Sequence, residues 1–467
     1  MQLPKVFSKE LHHQFVVFRK SYSVKRPSFR CNEVLFLKDG PGSGKTAMAL
    51  DYCANHASAL YFSFRSLDAV LAPRIFSSAY PDIFSRCVTW SDFFEQLQAY
   101  YAKKSGVVFF DDAGMRNDKS DFLDQLQRML EKNTRFRIFV VFLLRPWETL
   151  PLHAKELPLH PLSPAAIRRM LGLKDADTFR LYTLTEGNPY LLSLYDTQMS
   201  FAENVRSWLR TDSPFYRFAQ NWMASCFRAP ESYNTLMYGM ATGTQRVSEL
   251  AELSGYPQNK VEKYLKALEA HGLVTREKEQ GSYARYVPAN NYLLLWFRCL
   301  FAARPDMYGV FPEETCSSYL NVLENELVPQ TFRKSVLYWL DHHQWDYLRS
   351  QIDVRTPCKR NITAKDVRFD YVFQTDERES RYILIKLFDH LEGRCGLKEW
   401  HVIEAAAPSV VPFYRTTLVL ASINRFSDAC WERSCKLENV KLVQVQTLTE
   451  TDFNTLWSDS KKQRTSR

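Results

Sequence analysis

The sequence has few of the residues that build flexible or cross-linked proteins. Of its 467 residues only 15 are glycine and 21 are proline, which argues against long flexible or low-complexity regions. The ten cysteines are scattered and form no CxxC pair. Such usage fits reduced thiols in a cytoplasm better than a disulfide framework.

Apolar runs long enough to cross a bilayer are also missing. The longest runs, IFVVFLL (138–144) and YLLLWF (292–297), are far shorter than the roughly 20 residues that a span needs. The opening MQLPKVFSKELHHQ has no apolar core of the kind found in signal peptides. These absences predict a cytoplasmic protein without a membrane span.

The bulk composition is that of an ordinary globular protein. Hydrophobic residues make up 45% and charged residues 24% of the chain. The length is too great for a single core and suggests about three domains. The formal net charge of +9 permits contacts with nucleic acid without demanding them, because it is spread over a large chain.

The stretch VLFLKDGPGSGKTAMALDYC (34–53) reads as a buried strand, a glycine-rich loop and a helix. That order around Gly-Lys-Thr is the context that a phosphate-binding loop, the P-loop or Walker A motif, requires. A chance glycine-rich turn is the alternative, and the flanking strand and helix argue against it. The residues predicted to bind ATP are Gly40, Pro41, Gly42, Ser43, Gly44, Lys45, Thr46 and Ala47.

Each part of this loop has a chemical role. Gly42 and Gly44 let backbone N–H groups close around phosphate oxygens without a Cβ in the way. Lys45 supplies a positive charge to the outer phosphates, and the Thr46 hydroxyl is a ligand for Mg²⁺. The helix that begins there points the positive end of its dipole at the anion.

One position departs from the strict P-loop pattern. Asp39 stands where the pattern has glycine, six residues before the lysine, and Gly40 is the next residue that can provide the turn. A carboxylate near a triphosphate repels it unless the carboxylate points away. The sequence therefore predicts nucleotide binding at this loop with reduced affinity.

A second stretch, GVVFFDDAG (106–114), places two acids directly after an apolar strand, as at the end of a Walker B strand. Asp111 is then expected to hold the Mg²⁺ shell. Asp112 is the predicted catalytic residue, which orients or deprotonates the attacking water. Two acids at a strand end are often just solvated, and their place downstream of the P-loop strengthens the catalytic interpretation.

Two further strands, ALYFSF (59–64) and RIFVVFLL (137–144), fit a parallel sheet flanked by helices. We assign residues 1–160 to a P-loop ATPase core. The second strand runs into LLRP, where Leu143 and Leu144 cannot hydrogen-bond a phosphate. Arg145 is either a phosphate-sensing residue or an ordinary surface arginine.

Four stretches in order, GPGSGKT, VVFFDDAG, LPLHPLSPAAIRRML and TLTEGNPYLLSLYD, resemble prokaryotic and archaeal-type ATPases of the STAND class (signal-transduction ATPases with numerous domains). The resemblance implies a helical lid, assigned to 161–227, with a Gly-x-Pro turn at Gly187-Asn188-Pro189. An ordinary helix-breaking turn is the alternative. Many members have Glu where this chain has Asp112, and the shorter side chain implies slow hydrolysis.

Residues 228–290 resemble a winged helix-turn-helix, with two helical segments divided at Gly255 and a strand pair behind them. A DNA-binding interpretation places helix 257–270 in the major groove. Interleaved glutamates favour instead a solvated face, or a module that packs on the nucleotide domain. The polar residues available to DNA are Gln258, Asn259, Lys260, Lys263, Lys266, Arg276, Lys278 and Arg285, and the glutamates are Glu252, Glu262, Glu269, Glu277 and Glu279.

Residues 291–467 carry the faintest signal. The STAND resemblance implies a restriction-endonuclease-like domain, whose active form uses a helix Glu, a strand-end Asp and a Glu-x-Lys pair around Mg²⁺. Leu384 stands where the acid of that pair belongs and cannot ligate a hard cation, so the domain is predicted to be degenerate and non-cleaving. Ordinary strand residues of an α/β domain are the alternative, and the basic tail KKQRTSR is expected to be solvated. The matching candidates are Glu324 or Glu326, Asp370 and Lys386.

The sequence thus predicts an α/β protein: a P-loop NTPase parallel sheet with a helical lid, a winged helix-turn-helix, and a C-terminal α/β nuclease-like domain. The predicted function is a switch that binds ATP with Mg²⁺ and hydrolyses it slowly. The alternatives are an ATP-dependent DNA-binding regulator and a nucleotide-binding scaffold without catalysis. Beyond the nucleoside triphosphate, the partners considered are DNA, through the winged helix, and a protein partner or a second copy of the chain.

Overall fold

The computed structural model describes residues 33–113 except 66 and 69, then 120–131, 138–159, 161–277, 284–342, 357–376, 381–391, 395–411, 416–445 and 448. The chain divides into two compact units. One comprises residues up to Leu159 together with Lys266–Leu273, and the other comprises His160–Leu265 and the residues from Val274 onward. None of the helices within these described ranges combines the length and apolar character that a membrane crossing requires.

A five-stranded parallel sheet forms the centre of the first unit, as the sequence predicts. Its strand order is β2-β3-β4-β1-β5. Every residue of β3 and β4 is buried. Both faces of these strands are covered, which explains why their sequences are nearly continuous apolar runs. The strands are β1 (Glu33–Lys38), β2 (Ala59–Ser63), β3 (Gly106–Asp111), β4 (Ile138–Leu144) and β5 (Lys155–Pro158). The helices are α1 (Lys45–Asn55), α2 (Ala72–Ala79), α3 (Trp90–Tyr100) and α4 (Ser120–Glu131).

Each face of this sheet has its own hydrophobic core. Successive strand residues point to opposite faces, so Phe109 lies in one core and Phe110 in the other. The core around Phe110 is largely aromatic, with ring centroids 5.7 Å from Phe62 and 5.5 Å from Phe142. In the core around Phe109, residues of α1 pack against the sheet, and this packing fixes the position of the helix.

Strand β5 is not indicated by the sequence pattern. Its four residues, KELP, show no apolar alternation, yet they pair in parallel with β1 from Leu35↔Lys155 onward. A short strand that carries lysine and proline is typical of a sheet edge, where few residues need to face a core. The element forms because β1 offers an open edge, which is a property of the assembled sheet.

The second unit opens with a series of short helices. Gly187 has a φ of 74°, and its carbonyl accepts a hydrogen bond of 3.0 Å from the Leu162 N–H. Asn188 Oδ1 accepts from the N–H groups of Tyr190 and Leu191, so the Gly-Asn-Pro turn caps the helix that follows. The helices are α5 (Pro164–Leu171), α6 (Asp175–Thr185), α7 (Pro189–Leu192), α8 (Phe201–Trp208) and α9 (Pro214–Cys226).

A helix-turn-helix with an antiparallel strand pair follows, as predicted. Gly255 has a φ of 68° and ends the first helix of the pair, where a left-handed residue is needed. The elements are α10 (Glu231–Ala241), α11 (Val247–Ser254), α12 (Gln258–Ala270), β6 (Val274–Glu277) and β7 (Arg285–Pro288). Beyond them lie α13 (Asn291–Leu295), a π-helix (Trp296–Leu300), α14 (Glu313–Val322), a second π-helix (Leu323–Leu327) and α15 (Val328–His342).

The C-terminal part is an α/β domain with a mixed five-stranded sheet in the order β12-β11-β10-β9-β8. Strands β8 to β10 are antiparallel, and β10 to β12 are parallel. The elements are β8 (Lys359–Ala364), β9 (Val367–Asp376), β10 (Arg381–Phe388), α16 (Leu397–Ala406), β11 (Thr416–Ser422), α17 (Asp428–Ser434) and β12 (Val440–Gln444).

The Gly187 turn generates a stability prediction. A Cβ at this residue would lie 2.2 Å from the Leu162 carbonyl oxygen, and its φ is left-handed. Gly172 has a similar φ of 67°, but a Cβ there meets nothing within 4 Å. We expect Gly187→Ala to lower the free energy of unfolding by more than about 3 kcal/mol, and Gly172→Ala by about 1–2 kcal/mol. Urea denaturation of both variants measures the difference, and equal losses would mean that the steric contact is not what matters.

Candidate functional site

The glycine-rich loop connects the carboxyl end of β1 to the first turn of α1. Gly42 and Gly44 have left-handed φ angles of 76° and 85°, and Gly44 is the residue that caps α1. At the start of this helix the Met48 N–H donates a hydrogen bond of 2.9 Å to the Gly44 carbonyl. The N–H groups from Gly44 onward in the first turn therefore have no partner within the helix, which is the arrangement that binds anions.

The Lys45 ammonium lies back over the loop that precedes it. Its Nζ donates hydrogen bonds to the carbonyls of Asp39 (2.6 Å) and Gly40 (3.0 Å) and to Ser43 Oγ (3.1 Å). Burial lowers the pKa of Lys45, and the nearby carboxylates, Asp39 first among them, oppose that shift. The loop's own oxygen atoms thus hold the Lys45 ammonium against the loop.

Asp39, the residue that departs from the P-loop pattern, is oriented by the loop itself. Its Oδ1 accepts a hydrogen bond of 2.6 Å from the Gly40 N–H, and its own N–H donates to the Leu144 carbonyl at the end of β4. The side chain is partly buried. The carboxylate therefore remains close to the loop, where it repels a second anion.

The Thr46 hydroxyl and the Asp111 carboxylate meet directly. Thr46 Oγ1 donates to Asp111 Oδ2 at 2.6 Å, although the two residues are 65 positions apart in the sequence. Asp111 ends β3, and its Oδ1 accepts from the Asp112 N–H at 2.9 Å. Both groups are oxygen donors, and a hard cation such as Mg²⁺ binds through one or two carboxylates together with substrate phosphates. The donor set fits that cation.

Asp112 occupies a strained backbone position directly after β3. Its φ is 55°, in the left-handed region that non-glycine residues seldom adopt. Burial raises the pKa of Asp112, and the neighbouring Asp111 charge adds to the shift, while Arg145, Arg65 and Lys45 oppose it. A carboxyl with a raised pKa is a stronger proton acceptor than an ordinary surface aspartate.

Arg145 and Glu148 are the functional candidates that the sequence left open or missed. Arg145 follows β4, the strand between β1 and β3, and its charge acts on the pKa values of both Lys45 and Asp112. The Arg145 N–H donates to Glu148 Oε2 at 2.8 Å, and the buried Glu148 carboxylate also raises the pKa of Lys45. An acid three residues after the arginine is the signal that could have indicated this pair.

The second predicted surface lies on α12. The side chains of Gln258, Asn259, Lys263 and Lys266 are exposed. Lys260 is partly covered, because its Nζ lies 3.9 Å from the ring centroid of Tyr256. In the strand pair Arg276 and Arg285 are exposed, whereas Lys278 and Glu279 lie outside the described residues.

The residues matched to a nuclease site serve other contacts. Glu324 pairs with Arg180 at 2.8 Å, and Glu326 makes a two-pronged ion pair with Arg298 at 2.7 and 2.8 Å. On the C-terminal sheet Asp370 accepts a 2.8 Å hydrogen bond from the Leu387 N–H, and burial raises its pKa. Leu384 is fully buried in the core, so no oxygen ligand is available at that position.

Comparisons with known proteins support part of this picture. The family described as the sugar-specific transcriptional regulator TrmB matches residues 231–291, the segment in which the sequence predicts a winged helix at 228–290. A search of curated proteins returns no match. The comparisons give no support to the nuclease-like interpretation of the C-terminal domain.

Among solved structures, one similar chain is a signal transduction ATPase with numerous domains (STAND) from Pyrococcus horikoshii that carries a tetratricopeptide repeat sensor. The sequence identity is 14%, the alignment covers 68% of this chain and 47% of that chain, and the TM-score is 0.28. The chain therefore spans about half the length of that structure. A TM-score at this level does not establish a shared architecture.

Asp39 generates a prediction about affinity. Asp39→Asn keeps an oxygen acceptor for the Gly40 N–H but removes the negative charge beside the loop. We expect an ATP analogue with a fluorescent label to bind about three- to tenfold more tightly, because the like-charge repulsion is lost. Asp82→Asn, an exposed residue of the same unit, removes the same charge elsewhere. If the affinity of both variants rises equally, the effect comes from the net charge of the protein, and the proposed repulsion by Asp39 is wrong.

Proposed function

We propose that the chain binds ATP with Mg²⁺ at the glycine-rich loop, hydrolyses it slowly, and acts as a nucleotide-dependent switch. The observation that carries this proposal is the 2.6 Å hydrogen bond between Thr46 and Asp111, beside a loop that leads into the first turn of α1. Because this contact places the loop next to the aspartate pair, a single ligand that carries both phosphate and a cation fits both.

In this proposal the parts of the site divide the work. The loop amides from Gly40 to Ala47 and the Lys45 ammonium bind the phosphates. Thr46 and Asp111 hold Mg²⁺, which supplies charge neutralisation for the terminal phosphates when it is bound. Asp112 accepts the proton of the attacking water, and its raised pKa suits that role. A backbone strained at Asp112 is consistent with a site under functional constraint.

Two variants separate binding from hydrolysis. We expect Lys45→Ala to abolish ATP binding, measured by calorimetry, since the loop loses its only side-chain cation. We expect Asp112→Asn to bind ATP like the parent and to release phosphate about 100-fold more slowly. Because the pKa of Asp112 is raised, phosphate release in the parent should fall as pH decreases through that pKa. If Lys45→Ala binds ATP with the affinity of the parent, the proposed binding site is wrong. If Asp112→Asn releases phosphate at the rate of the parent, Asp112 is not the general base, and the protein is either a binding scaffold or uses another base.

A second function, DNA binding through the winged helix, is favoured by the TrmB match and by the exposed cations of α12 and the strand pair. The family description names transcriptional regulators, which recognise DNA. In this proposal Lys260 and Lys263 contact phosphates, and Gln258 and Asn259 at the start of α12 face base edges. Nucleotide binding would then regulate DNA binding.

Salt dependence tests this second function. We expect affinity for a DNA duplex to fall as salt rises, and the double variant Lys260→Gln/Lys263→Gln to reduce the slope of log K against log salt by about two. Lys398→Gln, an exposed lysine of the C-terminal domain, is the matched control and should leave the slope unchanged. Equal slopes for the parent and the double variant would remove α12 from the interface.

A further inference from the structure

Asp111 accepts a hydrogen bond that the glycine-rich loop and the aspartate pair do not explain. Besides Thr46, the Tyr61 hydroxyl donates to the same oxygen, Asp111 Oδ2, at 2.8 Å. Together with the Asp112 N–H on Oδ1, the described part of the chain supplies three donors to this carboxylate. Hydrogen bonds therefore fix the position of both carboxylate oxygens. Rotation of the Asp111 side chain would break the contacts with the Thr46 and Tyr61 hydroxyls at once.

The sheet places Tyr61 where its length is needed. Tyr61 lies opposite Phe109 in the parallel pairing of β2 with β3, and Ser63 lies opposite Asp111. Two residues along a strand span about 7 Å, which is close to the reach of a tyrosine side chain. Tyr61 packs against the same core as Phe109, so its ring lies along the sheet and its hydroxyl extends to the carboxyl end of β3.

The backbone of Tyr61 is itself fixed. Among the described strands β2 is the outermost one on its side of the sheet, so within the described residues no further strand pairs with its outer N–H and carbonyl groups. The Tyr80 hydroxyl replaces that strand, since it accepts from the Tyr61 N–H at 3.0 Å and donates to the Tyr61 carbonyl at 3.3 Å. A carboxylate oxygen can only accept, so the Tyr61 hydroxyl is the donor in its 2.8 Å hydrogen bond to Asp111.

We propose that Tyr61 is a positioning residue, which holds the Asp111 carboxylate toward Thr46 and thereby sets the affinity of the nucleotide-bound site for Mg²⁺. This inference rests on the proposed ATP and Mg²⁺ binding. Residues that orient a metal ligand by hydrogen bonding commonly change metal affinity by about ten- to a hundredfold when they are replaced. Tyr61 is not part of the loop or of the aspartate pair, and its role follows only from the pairing of β2 with β3.

The test uses the full chain and the variant Tyr61→Phe, which keeps the ring and removes the hydroxyl. Binding of a fluorescent ATP analogue is measured against Mg²⁺ concentration and in EDTA. We expect the half-saturating Mg²⁺ concentration to rise about tenfold, with binding in EDTA unchanged. Tyr100→Phe is the matched control, because its hydroxyl donates to the Ala57 carbonyl at 3.1 Å on the same unit. Its Mg²⁺ dependence should equal that of the parent.

Three outcomes would overturn the inference, and they are distinguishable. If Tyr61→Phe lowers the melting temperature but keeps the parental Mg²⁺ dependence, the hydroxyl is only structural. If Tyr61→Phe and Tyr100→Phe shift the Mg²⁺ dependence equally, the effect is not specific to Asp111. If the parent itself binds no nucleotide with Mg²⁺, the proposed function fails and the inference fails with it.

Discussion

The hydrogen bond between Thr46 and Asp111 is the contact on which the rest of the candidate site depends. It joins the first turn of α1, the helix that follows β1, to the end of β3. In the sheet β4 lies between β1 and β3. The two residues meet because the carboxyl ends of parallel strands share one edge of a sheet, the edge at which α/β proteins bind ligands. The aromatic core around Phe110 keeps β3 and β4 in register, so the core fixes the geometry of the polar edge above it.

Opposing electrostatic effects meet at this edge. Burial disfavours the charged forms of both Lys45 and Asp112, while their neighbours of opposite sign favour them. Arg145 and Glu148, held together after β4, act on this balance from outside the loop. Under the proposed function a polyanion and a cation arrive together and change the surroundings of both groups. The protonation equilibria of Lys45 and Asp112 would then depend on whether nucleotide is bound, and such a dependence on the ligand is what a nucleotide-dependent switch requires.

Several charged residues of the second unit are held in structural ion pairs. Asp175, almost fully buried at the start of α6, pairs with Arg168 of α5 and with Arg425, which follows β11. Breaking these ion pairs is expected to destabilise the fold, because removal of one arginine leaves the buried carboxylate charge less compensated. Glu324 and Glu326 are likewise held in ion pairs. The acids that a nuclease reading needs are thus part of the scaffold.

The sequence by itself determined the local elements: apolar runs became buried strands, Gly42 and Gly44 adopted left-handed φ angles, and the first helix of the helix-turn-helix ended at Gly255. These features are encoded by neighbouring residues, so a pattern of side chains is enough to predict them. Only the tertiary structure decided that KELP forms an edge strand, that Glu148 supports Arg145, and that Tyr61 reaches Asp111. Each of these contacts depends on which strands lie side by side, and the separation of two residues along the chain does not specify the order of strands in a sheet.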